Sequence, residues 1–369
     1  MNFEPTPLQQ MIDELASQVL KGEVTEDGLA DLEAAQTWTH RAAYEALAKA
    51  ELLSVALPEP KGGLGGGLLE ICTLLTHVGA QVAPVPVFET LVQGVLPVLR
   101  YGTPDLVQRV LQGVAVGDRI FTGALSEPDR LDPLSVTTKA ESTSLGWKLR
   151  GCKGFVAYAD IADFAVVSAQ TDDGLALFVV DLSGPGVELS RNVTTNGQPV
   201  FTVTFDGAQG EHLGGAEAVR WTVGVSRVGL SALTLGIARR ALELTATYAS
   251  SREQFGQAIG LFQAVSQRLA DAYIDLQAME VSMWQAAWRL SEGLDFEPSV
   301  AIARYWACCG GHRIVATAQH VHAGMGFDRD YPLHRYFLWF KRVEFVLGGA
   351  SIQLAELGEM IHTDVGRLD

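Results

Sequence analysis

Arg252 and Phe255 stand three residues apart in SSREQFGQAIGLFQAV (250–265), followed by Gly256 and, further on, Gln263. A guanidinium is planar and permanently charged, and it can donate two parallel hydrogen bonds, so it suits a phosphate. A neighbouring ring adds a flat apolar surface. A second unusual stretch is HAGMGFDRDYPLHRYF (322–337), where Gly324 and Gly326 allow close backbone approach and Tyr331-Pro332 marks a turn. Other familiar chemistries are missing. His320 and His322 are two apart and so do not share a helix face, and with His334 they give no metal-ligand pattern. No G-x-S-x-G or H-E-x-x-H occurs. Cys72, Cys152, Cys308 and Cys309 form neither a C-x-x-C pair nor a disulfide framework, and the adjacent Cys308 and Cys309 read as packing residues.

The chain that must position these groups has 369 residues, 48% hydrophobic and 19% charged, which fits a well-buried globular protein rather than a disordered one. Its formal net charge of −16, with no Lys/Arg run, opposes binding to nucleic acid or anionic lipid. No uninterrupted apolar stretch reads as a membrane span, and the first residues lack the pattern of a secretory signal. The expected location is therefore cytoplasmic.

Three regions follow from the periodicity. Residues 1–119 are read as a helical domain from LQQMIDELASQVL and DLVQRVLQGVAVG. PEPKGGLGG between them is read as a turn, because its glycines lack the Lys-Ser/Thr of a phosphate loop. Across 120–215, short runs rich in Val, Phe and Thr (FTGAL, FAVVSAQ, LALFVVDL, PVFTVTFDGAQ) predict an antiparallel sheet. Residues 216–369 return to helical spacing and predict a four-helix bundle. The expected class is α+β, mainly α.

In order along the chain, these segments resemble the acyl-CoA dehydrogenase family over nearly its whole length. PEPKGGLGG is similar to the family's N-terminal turn. LSEPDRLDP (125–133) stands where a Thr-Glu-Pro-Gly-Ala-Gly-Ser-Asp segment is usual. WKLRGCKGFVAYADIADFAVV (147–167) resembles the strand pair facing the flavin. The Arg-x-x-Phe-Gly and His-x-Gly-Met-Gly-Phe segments complete the set. The resemblance implies FAD as cofactor and implies that Arg252, Gln254 and Phe255 reach the FAD of a neighbouring subunit. By the same register Gln263, His320, Ala323 and Gly324 would lie along that cofactor. His320 stands where Gln is usual, and Ala323 replaces the first glycine, adding a methyl to the groove.

The family removes an α-proton with a Glu, and both of its seats are empty here. Leu347 occupies the seat before Gly348, and Ser226 the seat beside Arg227. Ala157 replaces the Thr or Ser expected at the flavin, and Asp129-Arg130-Leu131-Asp132 replaces the small residues of the pyrophosphate loop. No catalytic residue is therefore assigned. The asymmetry resembles the actinobacterial α2β2 enzymes acting on steroid side-chain CoA thioesters, with this chain as the partner of a homologous catalytic subunit that binds the acyl-CoA. Two other readings are a self-sufficient homotetramer with a relocated acid, Glu344 being nearest, and a scaffold without flavin contact.

Overall fold

The computed structural model describes residues 4–130, 132–144 and 146–365. Thr6 starts the first helix. Its hydroxyl accepts from the Gln9 N–H, and the Gln9 side chain accepts from the Thr6 N–H, so two donors that a helix start leaves free are satisfied reciprocally. Helix α1 (Pro7–Glu23) buries Ile12, Ala16 and Leu20 on one face. Helices α2 (Glu26–Ala35), α3 (Arg41–Lys49), α4 (Leu68–Ala80), α5 (Leu96–Tyr101) and α6 (Pro104–Leu111) complete the first unit. The glycine-rich stretch before α4 is a turn, as expected, with Gly62 and Gly65 at φ 77° and 67°. Between α4 and α5, residues Phe88–Val95 wind as a π-helix and are all buried, Glu89 among them. Such widened turns often occur at functional sites.

Seven strands follow: β1 (Phe121–Ala124), β2 (Lys139–Thr143), β3 (Gly146–Ala157), β4 (Phe164–Thr171), β5 (Gly174–Asp181), β6 (Val187–Val193) and β7 (Pro199–Gly214). Pairing is antiparallel for β2–β3, β3–β7, β4–β5, β5–β7 and β6–β7. The sheet departs from an all-antiparallel one at β1, which runs parallel to β4 with Phe121 opposite Phe164, and at a single parallel contact between β2 and β4. The cause is connectivity. The chain leaves β1 through a long loop and does not turn back on it, and only such a crossover lets two strands align in parallel. Pairings β4–β2–β3–β7–β5–β4 close on themselves around Leu149, Phe178, Val203 and Phe205. β2 carries no apolar alternation, which is why its sequence gave no strand signal.

Helices α7 (Ala216–Ser251), α8 (Gln263–Ser291), α9 (Glu297–His322) and α11 (Ala350–Val365) form the C-terminal bundle, with α10 (Leu333–Val343) packed on α7 and α9. By length and composition α7 is apolar enough to cross a membrane, but 94% of its most apolar stretch is buried inside the protein. It is the core helix that the other units share. It crosses α4 at two glycines. A methyl on Gly79 would lie 2.0 Å from the Leu233 carbonyl oxygen, and one on Gly236 would lie 1.9 Å from that of Thr76. Only hydrogen fits at this crossing.

Candidate functional site

Helix α7 ends at Arg252, whose N–H donates to the Tyr248 carbonyl at 2.8 Å. The chain then makes a minimal hairpin, β8 (Glu253–Gln254) with β9 (Gln257–Ala258). Phe255 and Gly256 sit at its tip with φ of 54° and 81°. Two successive positive φ angles fit a turn that follows strand twist, and Gly or Asn is favoured at both places. A phenylalanine there holds a strained backbone, of the kind that costs about 1–3 kcal/mol. Its ring is 95% exposed and touches Phe262 only edge-on, with centroids 6.3 Å apart. Among the described residues the Arg252 guanidinium has no hydrogen-bond or ion-pair partner, and it is exposed. The Gln254 amide donates to the Glu253 carbonyl at 2.8 Å, and Gln263 begins α8 with its side chain exposed.

The end of α9 lies beside this hairpin because His322 is locked to α7. Its ring stacks on Tyr248 at 4.3 Å. Nδ1 lies 2.9 Å from the Ala318 carbonyl and Nε2 lies 3.1 Å from the Tyr331 hydroxyl. A carbonyl only accepts, so Nδ1 carries the proton and Nε2 accepts from Tyr331. Burial lowers the His322 pKa and keeps that neutral form. His320, Ala323 and Gly324 are exposed at the same end. Ala323 stands at φ 51°, and nothing lies within 4 Å of where a Gly324 side chain would be. The structure thus gathers Arg252, Gln254, Phe255, Gln263, His320, Ala323 and Gly324 on one exposed end of the bundle. No group of three or more His, Cys, Asp and Glu there or elsewhere among the described residues could hold a metal.

The second candidate region lies inside the chain. Leu347, 4% exposed and at φ 57°, lines a cavity of about 70 Å³ together with Ala157, Phe155, Gly154 and Ser126. Clefts that hold small-molecule ligands usually measure roughly 300–1,000 Å³. The Leu347 carbonyl accepts from Arg227 Nε at 2.9 Å, and the same guanidinium grips Glu356 at 2.6 and 2.7 Å. Ser226 is fully buried and donates to the Thr222 carbonyl at 2.7 Å, so it does not reach the cavity. Glu344 is not among the residues that line the cavity; its carboxylate accepts from Lys341 at 2.8 Å and lies 3.0 Å from His312 Nδ1.

The loop after β1 is held from within. Glu127 accepts from the Thr138 N–H at 2.8 Å, from Thr137 and from Lys153 Nζ at 3.0 Å. Burial works against its charge, yet these donors hold its pKa down at about 2. Burial pulls the Lys153 ammonium down to about 8 against the attraction of Glu127. Asp129 and Arg130 are exposed, and Arg130 Nη1 donates to Ser135 at 3.2 Å, while Leu131 lies outside the described residues.

Sequence reasoning missed Glu89. It lines the cavity, is 6% exposed, and burial pushes its pKa up to about 7 in spite of nearby Arg342. Its one local signal was a single acid within the apolar run VPVFETLVQGV.

Residues 6–118, 122–208 and 214–362 match the N-terminal, middle and C-terminal domain models of acyl-CoA dehydrogenases. Acyl-CoA dehydrogenase FadE27 of Mycobacterium tuberculosis is 37% identical over 369 residues, covering 97% of this chain and 98% of its own. The crystal structure of the ChsE4-ChsE5 complex from M. tuberculosis has a TM-score of 0.93 and 37% identity, covering 98% of this chain and 99% of that one. The Tcur3481-Tcur3483 steroid ACAD also has a TM-score of 0.93, with 39% identity over 97% and 98% of the two chains.

Proposed function

The chain belongs to the acyl-CoA dehydrogenase family, and from that premise we propose that it is the subunit without a catalytic base in a two-component dehydrogenase, completing the FAD site of a homologous partner. FAD, when bound, supplies the acceptor for hydride from the β-carbon of the thioester. This chain's part is to bind and orient. Arg252, free of internal partners, would donate to the pyrophosphate, and Phe255 would cover an apolar face of the dinucleotide. Gln254, Gln263 and the His320–Gly324 segment would border the same groove. The α-proton would go to a carboxylate of the partner, because Leu347 cannot titrate and the Ser226 hydroxyl is spent inside its helix.

One observation carries this reading. An exposed charged group without a partner among the described residues stands beside a ring that is 95% exposed, while both family seats for the base hold residues that cannot act as one. The α2β2 assembly and a steroid side-chain thioester as substrate rest on likeness to the complexes above, and a cytoplasmic setting goes with them. The test is Arg252→Ala in the complex reconstituted with its homologous partner. Removing a charge-assisted contact should weaken flavin retention roughly tenfold or more. Unchanged retention would leave a scaffold without flavin contact.

A second reading has one observation in its favour, the buried acid Glu89 in the cavity beside Leu347. On that reading the chain is a self-sufficient homotetramer whose base has moved. Turnover of acyl-CoA thioesters by the chain alone, abolished in Glu89→Gln, would establish it in place of the first.

A further inference from the structure

Where α1 and α4 meet the C-terminal half of α8, residues of all three helices wall a cleft of about 510 Å³. That is within the size of clefts that hold small molecules. Its charged lining is Glu4, Asp13, Glu14 and Glu280, and no Lys, Arg or His lines it. Asp13 lies 2.7 Å from His77 Nε2 and Glu280 accepts from Arg239 Nη2 at 2.7 Å, and both of those partners stand outside the lining. Glu14 is exposed and has no partner among the described residues.

The carboxylates are joined by two indoles. Trp284 and Trp288 are four apart on α8, so they share a helix face, and both line the cleft half-buried. The face of an aromatic ring is negative, and Trp attracts a cation most strongly. Gln9 adds one donor. It is only 9% exposed, its Oε1 accepts from the Thr6 N–H at 2.8 Å, and its Nε2 donates to no described residue. An anion would meet like charge at this wall. A metal ion would need acids gathered closely enough to share it, and among the described residues no such group of three exists. An organic cation suits both the acids and the rings, and the chain's net charge of −16 draws cations toward it.

We propose that this cleft is a binding site for a small alkylated ammonium ion bearing a hydroxyl, its methylated head held by Trp284, Trp288 and the carboxylates and its oxygen accepting from Gln9 Nε2. Methyl groups spread the charge over a surface that sheds water cheaply, so the rings can meet it directly. The site does not rest on the flavin reading, since its lining shares no residue with the Arg252 end of the bundle or with the cavity beside Leu347.

The experiment is a ligand-observed NMR titration of the full chain with choline and two isosteres. In 3,3-dimethylbutan-1-ol carbon replaces the charged nitrogen, and in propyltrimethylammonium a methyl replaces the hydroxyl. Choline should saturate with a Kd of about 1 mM or tighter. It should bind roughly tenfold or more tightly than the neutral isostere and a few-fold more tightly than the one without a hydroxyl. Trp284→Leu and Trp288→Leu should each weaken choline about fivefold. Glu14→Gln, an exposed change, should weaken it about twofold and reduce its dependence on salt. Arg252→Ala should leave choline binding unchanged, which separates this site from the flavin clamp. The comparison of isosteres needs no variant to fold. Parity between choline and either isostere, no saturable binding of choline, or unaltered affinity in both Trp variants would overturn the proposal.

Discussion

The loop after β1 and the hairpin after α7 both carry charge, and they treat it in opposite ways. Glu127 is 5% exposed and Lys153 fully buried, and their polar contacts are with one another and with Thr137, Thr138 and Ser168. Arg252 and Phe255 are exposed and make almost no contact with it. An internally satisfied charge stabilises the fold and has nothing left to offer a ligand. A charge held open by a strained turn contributes nothing to the fold and keeps its bonding capacity for something else. The family pattern would place both regions near flavins, but of Glu127, Lys153 and Arg252 only Arg252 is left without a partner among the described residues.

Lys153→Met should break this contrast most strongly. It leaves a buried carboxylate unpaired, and the expected loss is about 3–5 kcal/mol of unfolding free energy by denaturant titration. Arg252→Ala in the isolated chain should change the same quantity by no more than about 0.5 kcal/mol. Equal losses would erase the distinction.

Acid and neutral pH should separate Glu127 from Glu89. With its folded pKa down at about 2, Glu127 stabilises the fold above the unfolded value of roughly 4.3, and that contribution is lost as pH falls toward 2. Glu89 has the opposite sign. With its pKa up at about 7, it costs nothing below roughly 4.3, and stability is lost as pH rises through 7. Each shift corresponds to about 3 kcal/mol at most. The groups facing Glu89 are Arg342, Tyr158 and Tyr44. Glu89→Gln should flatten the rise of Tm on going from pH 8 to pH 5, measured by calorimetry.

Leu347→Glu sharpens the comparison from the other side. It restores a carboxyl at the first seat but leaves Ala157 and the 129–132 loop as they are. The chain alone should therefore show no turnover with acyl-CoA thioesters, and any turnover would mean that its own flavin-facing half is competent. The smallest effect is expected for Phe255→Asn. Relieving the backbone at φ 54° should raise stability by about 0.5–1 kcal/mol, while flavin retention in the complex falls a few-fold.

Arg252, Phe255 and Gly256 stood out because they lie within a few residues of one another, although the two-residue strands that hold them in a hairpin gave no signal. The same holds for the helices, whose apolar spacing is local, and for Leu347 and Ser226 as residues unable to act as the base. What stayed hidden depended on distant partners. Glu89 becomes a buried acid only because Tyr158 and Arg342 close over it from other elements. Lys153 looked like an ordinary strand residue until Glu127 met it. The parallel pairing of β1 with β4 joins residues as far apart as Phe121 and Phe164, and no spacing within either strand announces it. Glu344 was near enough in sequence to be suspected as an acid, and its contacts with Lys341 and His312 come from chain positions that its own neighbours do not announce.

The contact of α4 with α7 through Gly79 and Gly236 has an evolutionary consequence. Val78, Leu230 and Leu233, which wall the inner cavity, sit on these two rods beside the crossing. Any side chain larger than hydrogen would wedge the rods apart and widen the chamber at the expense of the whole core. Changes in the shape of the chamber that leave this crossing intact must therefore come from its other wall, such as Glu89 and Gln93 of the π-turn and Trp339 and Arg342 of α10.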